Sequence, residues 1–296
     1  MTRSTIPEHH RLRCATPANG LSVDVEEYFQ VAAFNRQIGR GDWESYPSRV
    51  HDNTSRVLDL FARNGASATF FVLGWIAERH PALIRRIVAD GHELASHGYD
   101  HTQVFHFEPA GFRADVLRTK AILEDLGGTR VIGYRAPSYS IDARNLWALD
   151  VLRETGHEYS SSIYPIRHDL YGMPDAPRFA FRFNADGLLE LPVTTVRLGD
   201  RNLPCGGGGF FRLLPYPLFR SALRRVNRLD CQPGIFYFHP WEVDPDQPRV
   251  ANAPLKSRFR HYVNLSTMER RLEQLLGDFR WGRMDQVFGI RTGESA

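Results

Sequence analysis

Four stretches of the chain combine side chains able to bind a metal ion or move a proton. Asp24 and Glu26 stand two apart in "SVDVEEYF", His97 and His101 bracket "HGYDH", Arg135 opens "RAPSY", and His239 lies in "FYFHPWE". Residues two apart on a strand share a face, so Asp24 and Glu26 would sit roughly 6–7 Å apart, with Val23 and Val25 on the opposite side. Such carboxylates repel unless a cation or a proton lies between them. Two imidazoles and one carboxylate form a ligand set for zinc or a similar divalent ion, with positions left open for water and substrate. Taken alone, an Asp-x-Glu is more often a strand fraying into solvated acid, and an HxxxH more often a pair of surface histidines. Their combination with an Arg-x-Pro and a late Phe-x-His-Pro is what makes the set specific.

Each polar cluster follows an apolar run. "LSVDV", "SATFFVLG", "HELASH", "VIGYRAP", "HEYSSSI", "LLELPVTTVRL" and "GIFYFHP" read as strands. Between them, "SRVLDLFARNG", "HPALIRRIVADG", "EPAGFRADVLRTKAILEDLGG", "ARNLWALDVLRETG" and "LFRSALRRVN" carry helical spacing, with proline near the start or glycine past the end of several. A further helix, "STMERRLEQLLGDF", opens with a capping-box pattern, Ser266 with Glu269. Alternating strands and helices predict an α/β chain with a parallel sheet, closed or nearly closed into a barrel of about seven strands. Chemistry in such barrels collects at the C-terminal ends of the strands, which is where these clusters fall.

The bulk properties set bounds. The chain has 296 residues, 42% hydrophobic and 24% charged, with a net charge of +3. This composition fits a globular domain and gives no field strong enough to imply nucleic acid or a membrane surface. Residues 1–19 read as a polar N-terminal arm without an apolar stretch, so the expectation is a cytoplasmic protein with no membrane span. Cys14, Cys205 and Cys231 match neither a disulfide framework nor a CxxC metal site. "CGGGGFF" lacks the Lys-Ser/Thr ending of a phosphate loop, and its glycines suit a loop lying close to a cleft.

From Gly20 to Glu242 the chain resembles the polysaccharide deacetylases, the NodB-type family of carbohydrate esterases. "SVDVEEYF", "HGYDH", "RAPSY" and "FYFHP" match the family's motifs in order. That family usually carries adjacent acids in its first motif, whereas here Val25 separates Asp24 from Glu26. "SVDVEEYFQVAAF", "GYRAPSYSI", "GGGGFFRLLPY" and "FHPWE" further resemble the branch linked to exosortase (PEP-CTERM) exopolysaccharide loci, which has a C-terminal extension, here residues 243–296. The resemblance implies a distorted (β/α) barrel over 20–242 that removes acetyl groups from amino sugars of a polysaccharide, with a divalent metal: zinc first, with cobalt, nickel, manganese or iron as alternatives.

It also implies roles. Glu26, His97 and His101 would hold the metal, Asp24 would be the general base paired with Arg135, and His239 the general acid. The main-chain N–H of Tyr139 would serve as an oxyanion donor. Tyr139 and Trp241 could stack on a sugar ring, and Arg212 and the basic segment 255–262 could hold an anionic polymer. Structural alternatives remain: an ion pair for Arg135, a strand end for His239, core for Trp241. Glu27 is expected to face away, and Asp100 to cap the loop between the histidines. Two other functions share these residues: hydrolysis of a small non-sugar amide, and carbohydrate binding by an inactive relative.

Overall fold

A computed structural model describes residues 16–168, 171–184 and 187–290. The arm predicted over 1–19 lies outside the described residues up to 15, and its last residue, Asn19, already belongs to the first strand.

The strands are β1 (Asn19–Val25), β2 (Thr69–Val72), β3 (Glu93–Ser96), β4 (Gly133–Tyr134), β5 (Tyr159–Ser160), β6 (Phe181–Arg182), β7 (Leu189–Glu190), β8 (Thr195–Leu198), β9 (Arg201–Pro204), β10 (Ile235–Phe238) and β11 (Trp281–Gly282). The helices are α1 (Val50–Arg63), α2 (Gly74–Arg79), α3 (Pro81–Ala89), α4 (Pro109–Gly127), α5 (Trp147–Glu154), α6 (Gly208–Leu213), α7 (Tyr216–Arg225), α8 (Leu255–Tyr262), α9 (Met268–Asp278) and α10 (Met284–Val287). In space the main sheet runs β10-β1-β2-β3-β4-β5-β7-β6, parallel except for β6, and β11 adds to the N-terminal end of β1. Seven of the parallel strands, β10-β1-β2-β3-β4-β5-β7, are the predicted barrel.

Its closure is irregular. The last gap is bridged by Val193 N–H to Ile163 O, Cys205 N–H to Thr194 O and Tyr237 N–H to Gly206 O, at 2.8–3.2 Å. Gly206 makes this possible, because a Cβ there would stand 2.6 Å from Ile235 O. Gly208 is needed for a similar reason, since a Cβ would meet the Glu242 carboxylate at 2.3 Å. The glycine run thus brings the chain against the cleft, as expected of it.

Strand parity separates core from site. Leu21, Val23 and Val25 pack outward with Phe70, Val72, Phe236 and Phe238 against α1, α3, α7 and α9. Phe71, Ala95, Ile132, Tyr159 and Ile235 form a separate interior cluster. Asp24, paired in register with Phe71, belongs to the interior side.

Three expectations change. "LLELPVTTVRL" is two strands, because Pro192 has no N–H for a ladder; β7 stays in the barrel while β8 turns into an antiparallel hairpin with β9. The capping box at Ser266 does not form: Thr267 is the N-cap, without a side-chain capping bond, and Glu269 instead accepts from Arg56 Nε on α1 at 2.6 Å. Residues 243–290 do more than pack on the barrel, since β11 pairs with β1 and the Met284 N–H donates to Thr69 Oγ1 at 2.8 Å. No described helix is long and apolar enough to cross a membrane.

Candidate active site and metal centre

Register places the site. Val25, Val72, Ser96 and Tyr134 stand side by side across β1 to β4. The residues just past three of these ends are Glu26, His97 and Arg135. On the other flank Phe238 pairs with Val23, so His239 follows at the level of Asp24. A cleft of about 860 Å³, counting the space at its mouth, is lined by Asp24, Glu26, His97, His101, Tyr139 and His239 among others.

Glu26, His97 and His101 are all buried, and one ligand atom from each lies within 4.8 Å of the others. HxxxH sits on a loop. Positive φ at Gly98 (75°) and His101 (59°) turns the chain, a conformation non-glycine residues adopt at a cost. Gly98 O and Tyr99 O accept from the Gly74 and Trp75 N–H groups at the start of α2, which clamps that loop. Asp100 caps it by accepting from Thr102 N–H at 3.2 Å.

Asp24 and Arg135 are buried together, 2.6 Å apart. The guanidinium is fixed on every side: Nη1 also donates to Ser22 Oγ (2.9 Å), Nε to Ser161 O (3.2 Å) and Nη2 to Ser161 Oγ (3.0 Å). Its Cζ lies 4.1 Å from the Phe71 ring centroid.

The donor set fits a divalent metal. Glu26 Oε2 lies 2.8 Å from His101 Nε2 and is buried with no other partner, so the pair is satisfied either by a proton on that nitrogen or by a cation bound to both atoms. His97 Nδ1 lies 2.8 Å from Arg135 O. That contact assigns the proton to Nδ1 and leaves the Nε2 lone pair for a ligand bond. Burial holds the His97 imidazole neutral, down at about 4. Burial alone would raise Glu26, but His101 and His239 outweigh it and bring the carboxyl down to about 2, keeping it ionised.

His239 has its own support. Its Nδ1 lies 2.9 Å from Glu242 Oε1, and the other oxygen, Oε2, accepts from Arg212 Nε at 2.7 Å. Burial opposes the imidazolium, but Glu26 and Glu242 prevail and raise His239 to about 9.

Three expected substrate contacts are placed differently. Trp241 is buried between His239 (ring centroids 5.1 Å, 14°) and His261 (4.1 Å, 14°), so neither face is open to a sugar. Its Nε1–H donates to Glu26 Oε1 at 3.2 Å, and so it orients a ligand carboxylate. Arg212 is 1% exposed and donates to Glu242 and to the carbonyls of Arg260, His261 and Val263, which leaves it no reach toward a polymer. The Tyr139 N–H donates to Ala136 O at 3.0 Å, and so is engaged in this conformation rather than offered as an oxyanion donor. Ser138 and Tyr139 both have positive φ (54° and 51°), so backbone strain sits at the cleft wall. Glu27 faces away as expected, accepting from the Arg49 and Val50 N–H groups at the start of α1.

Sequence reasoning placed Glu242 in the last polar cluster without giving it a role, and missed the partners Ser22, Ser161 and Met284. Glu242 follows His239 by three residues inside "FHPWE", and Ser161 lies in "SSS" at a predicted strand end, so both carried a local signal. Met284, with its Sδ 3.8 Å from Arg135 Nη2, carried none.

Residues 43–160 match the family model described as polysaccharide deacetylase, and residues 161–289 match a Domain of unknown function (DUF3473). The chain is 34% identical over 99 residues to a chitooligosaccharide deacetylase of Bradyrhizobium sp., covering 33% of this chain and 43% of that one. It is 32% identical over 98 residues to a peptidoglycan-N-acetylglucosamine deacetylase of Bacillus cereus, covering 33% and 36%. The match to these relatives thus spans less than half of their length. In fold, the chain superposes on a Mycobacterium smegmatis structure assigned as a polysaccharide deacetylase with a TM-score of 0.61 at 19% identity, covering 96% of this chain and 93% of that one. His97, His101 and Arg135 fall in the first matched segment and His239 and Glu242 in the second, while Asp24 and Glu26 precede both. Motif order, sequence match and fold agree that the chain carries a polysaccharide deacetylase domain, matched over residues 43–160.

Proposed function

We propose that the protein removes N-acetyl groups from amino-sugar residues of a polysaccharide, with a bacterial exopolysaccharide as the natural substrate. The observation that carries this reading is one cleft holding the Glu26–His97–His101 cluster, the Asp24–Arg135 pair and His239. Glu26, His97 and His101 would hold a divalent ion, zinc by ligand type, which when bound supplies an acidified water and polarises the acetyl carbonyl.

The rest is done by the chain's own groups. Asp24 takes a proton from the attacking water, and Arg135, 2.6 Å away, holds it aimed. Trp241 holds Glu26 in place from behind. His239 gives a proton to the departing amine, oriented through Nδ1 by Glu242, which Arg212 anchors in turn. Acetate and a free amino sugar leave. In this reading residues 20–242 and 243–290 work as one unit, because Arg212 ties Glu242 to α8.

The test is metal analysis of the purified protein together with acetate release from N-acetylglucosamine oligomers. Near-stoichiometric metal and acetate release support the reading. Bound metal with no acetate from any glycan, but turnover of small amides, would replace it with the non-sugar hydrolase. Neither metal nor turnover would leave a carbohydrate-binding relative.

A further inference from the structure

A second, larger cleft adjoins the catalytic one. It encloses about 1220 Å³, just above the roughly 300–1,000 Å³ of pockets for small ligands. Its neighbourhood to the active site is fixed by two shared walls. Tyr171 lines the catalytic cleft, and His168, stacked on it at 4.1 Å, lines the second. Gly209 lines the first, and the next residue, Phe210, lines the second.

The lining is cationic and aromatic. Arg167, Arg197 and Arg201 are exposed there, and among the described residues none has a carboxylate within ion-pair distance. They outnumber the two acids on the same wall, Asp175 and Asp200. A fourth arginine, Arg178, is committed to Asp230 at 2.9 Å and to Thr195 O at 2.7 Å. Phe179 and Phe210 are half-buried, with ring surface left for a sugar to cover. The floor is built: Asn202 Nδ2 donates to Pro165 O at 3.0 Å, joining the β8–β9 hairpin to the loop after β5, and Arg178 joins the 174–179 segment to β8.

We propose that this cleft binds an anionic stretch of the polysaccharide, its arginines reading carboxylate groups on sugars beyond the one whose acetamido group enters the catalytic cleft. The inference rests on the deacetylase reading and narrows its substrate to an acidic glycan. Arginine suits the task because its planar fork pairs with a carboxylate through two hydrogen bonds. Exposed pairs of this kind are individually weak and screened by salt, so the preference arises from several acting together.

Two fluorescently labelled hexasaccharides of equal length separate the possibilities: alternating N-acetylglucosamine and glucuronate, and N-acetylglucosamine alone. Anisotropy titrations should show the acidic hexamer binding about tenfold tighter at low salt, as expected of a few exposed ion pairs, with the advantage lost at high salt. The variant Arg167→Ala/Arg197→Ala/Arg201→Ala should bind the acidic hexamer no better than the neutral one, with neutral binding, metal content and Tm unchanged. Arg201→Glu alone should weaken the acidic hexamer in the same direction. Equal affinity of the wild type for both hexamers, or an undiminished preference in the triple variant, overturns the proposal. Acetate release is scored separately: an acidic preference without hydrolysis rejects the deacetylase reading and leaves this site standing, and hydrolysis without the preference does the reverse.

Discussion

His97 and His101 have different supports, and each predicts the same loss for its own reason. His97 is set by its contact with the Arg135 carbonyl, and His101 by a left-handed backbone. An open three-ligand site cannot spare one ligand. His97→Ala and His101→Ala should therefore each lose most bound metal and nearly all turnover, measured by metal analysis after dialysis and by acetate release; full occupancy in either would move the site elsewhere. Asp24 is expected to behave differently. Asp24→Asn keeps the three ligands, so metal should stay while kcat falls by about 10²–10⁴-fold, the loss typical of a positioned base. Arg135 then loses its buried counter-charge, so the variant should also be less stable, and the assay belongs well below its Tm. His239→Ala should match Asp24→Asn in retaining metal and losing kcat. If His239→Ala shed metal in parallel with activity, the histidine would be a ligand and not an acid.

At the scale of elements, the opposite end of the barrel holds a carboxyl that folding penalises when charged. Glu93, at the start of β3, is buried and accepts from Thr69 on β2, from Tyr159 Oη on β5 at 2.9 Å and from the Asp285 N–H on α10 at 3.2 Å. Burial, with Asp285 adding to it, raises its pKa above the ordinary carboxyl range. The unfolded chain therefore releases this proton at lower pH than the folded one. The stabilising contribution is fully present below the ordinary carboxyl pKa and is lost as pH rises through the raised value. Glu93→Gln should flatten that decline: Tm measured from pH 5 to pH 8 should fall less in the variant than in the wild type. A wild-type Tm that rises over this range with Glu93→Gln unchanged would sink the argument. The carboxyl also explains how a helix as short as α10 is held, since β2, β3 and β5 meet it through one side chain.

Across the whole molecule, the C-terminal residues are part of the barrel rather than an appendage to it. Met268, Leu272 and Leu275 of α9 are buried in the same core as Val23, Phe61 and Phe236, and Arg271 donates to the Phe211, Arg212 and Leu214 carbonyls at 2.7–3.0 Å. Leu272→Ala should cost about 2–5 kcal/mol in denaturant unfolding, the range for emptying a packed leucine site. The transition should remain single if the core is continuous. A separate early transition, with barrel signals unaffected, would show α9 to be an independent layer.

What could be read along the chain was whatever depends on near neighbours. Apolar runs and helical spacing located most of the barrel strands and the helices between them, and strand parity put Asp24 and Glu26 on one face. Polar residues just past apolar runs marked the site, because register lines up the strand ends in a parallel sheet. The two-residue strands β6 and β11 and the hairpin strand β9 were not legible, since segments so short carry no periodicity of their own and are held by their partners. Tertiary structure alone decided which distant groups meet: Trp241 with Glu26, Arg212 with Glu242, Met284 with Arg135, and Asp285 with Glu93. An exposed tryptophan beside a cleft and a buried one clamped between two histidines have the same sequence signature. The difference lies in which faces other elements cover, and that is set by packing between segments far apart in the chain.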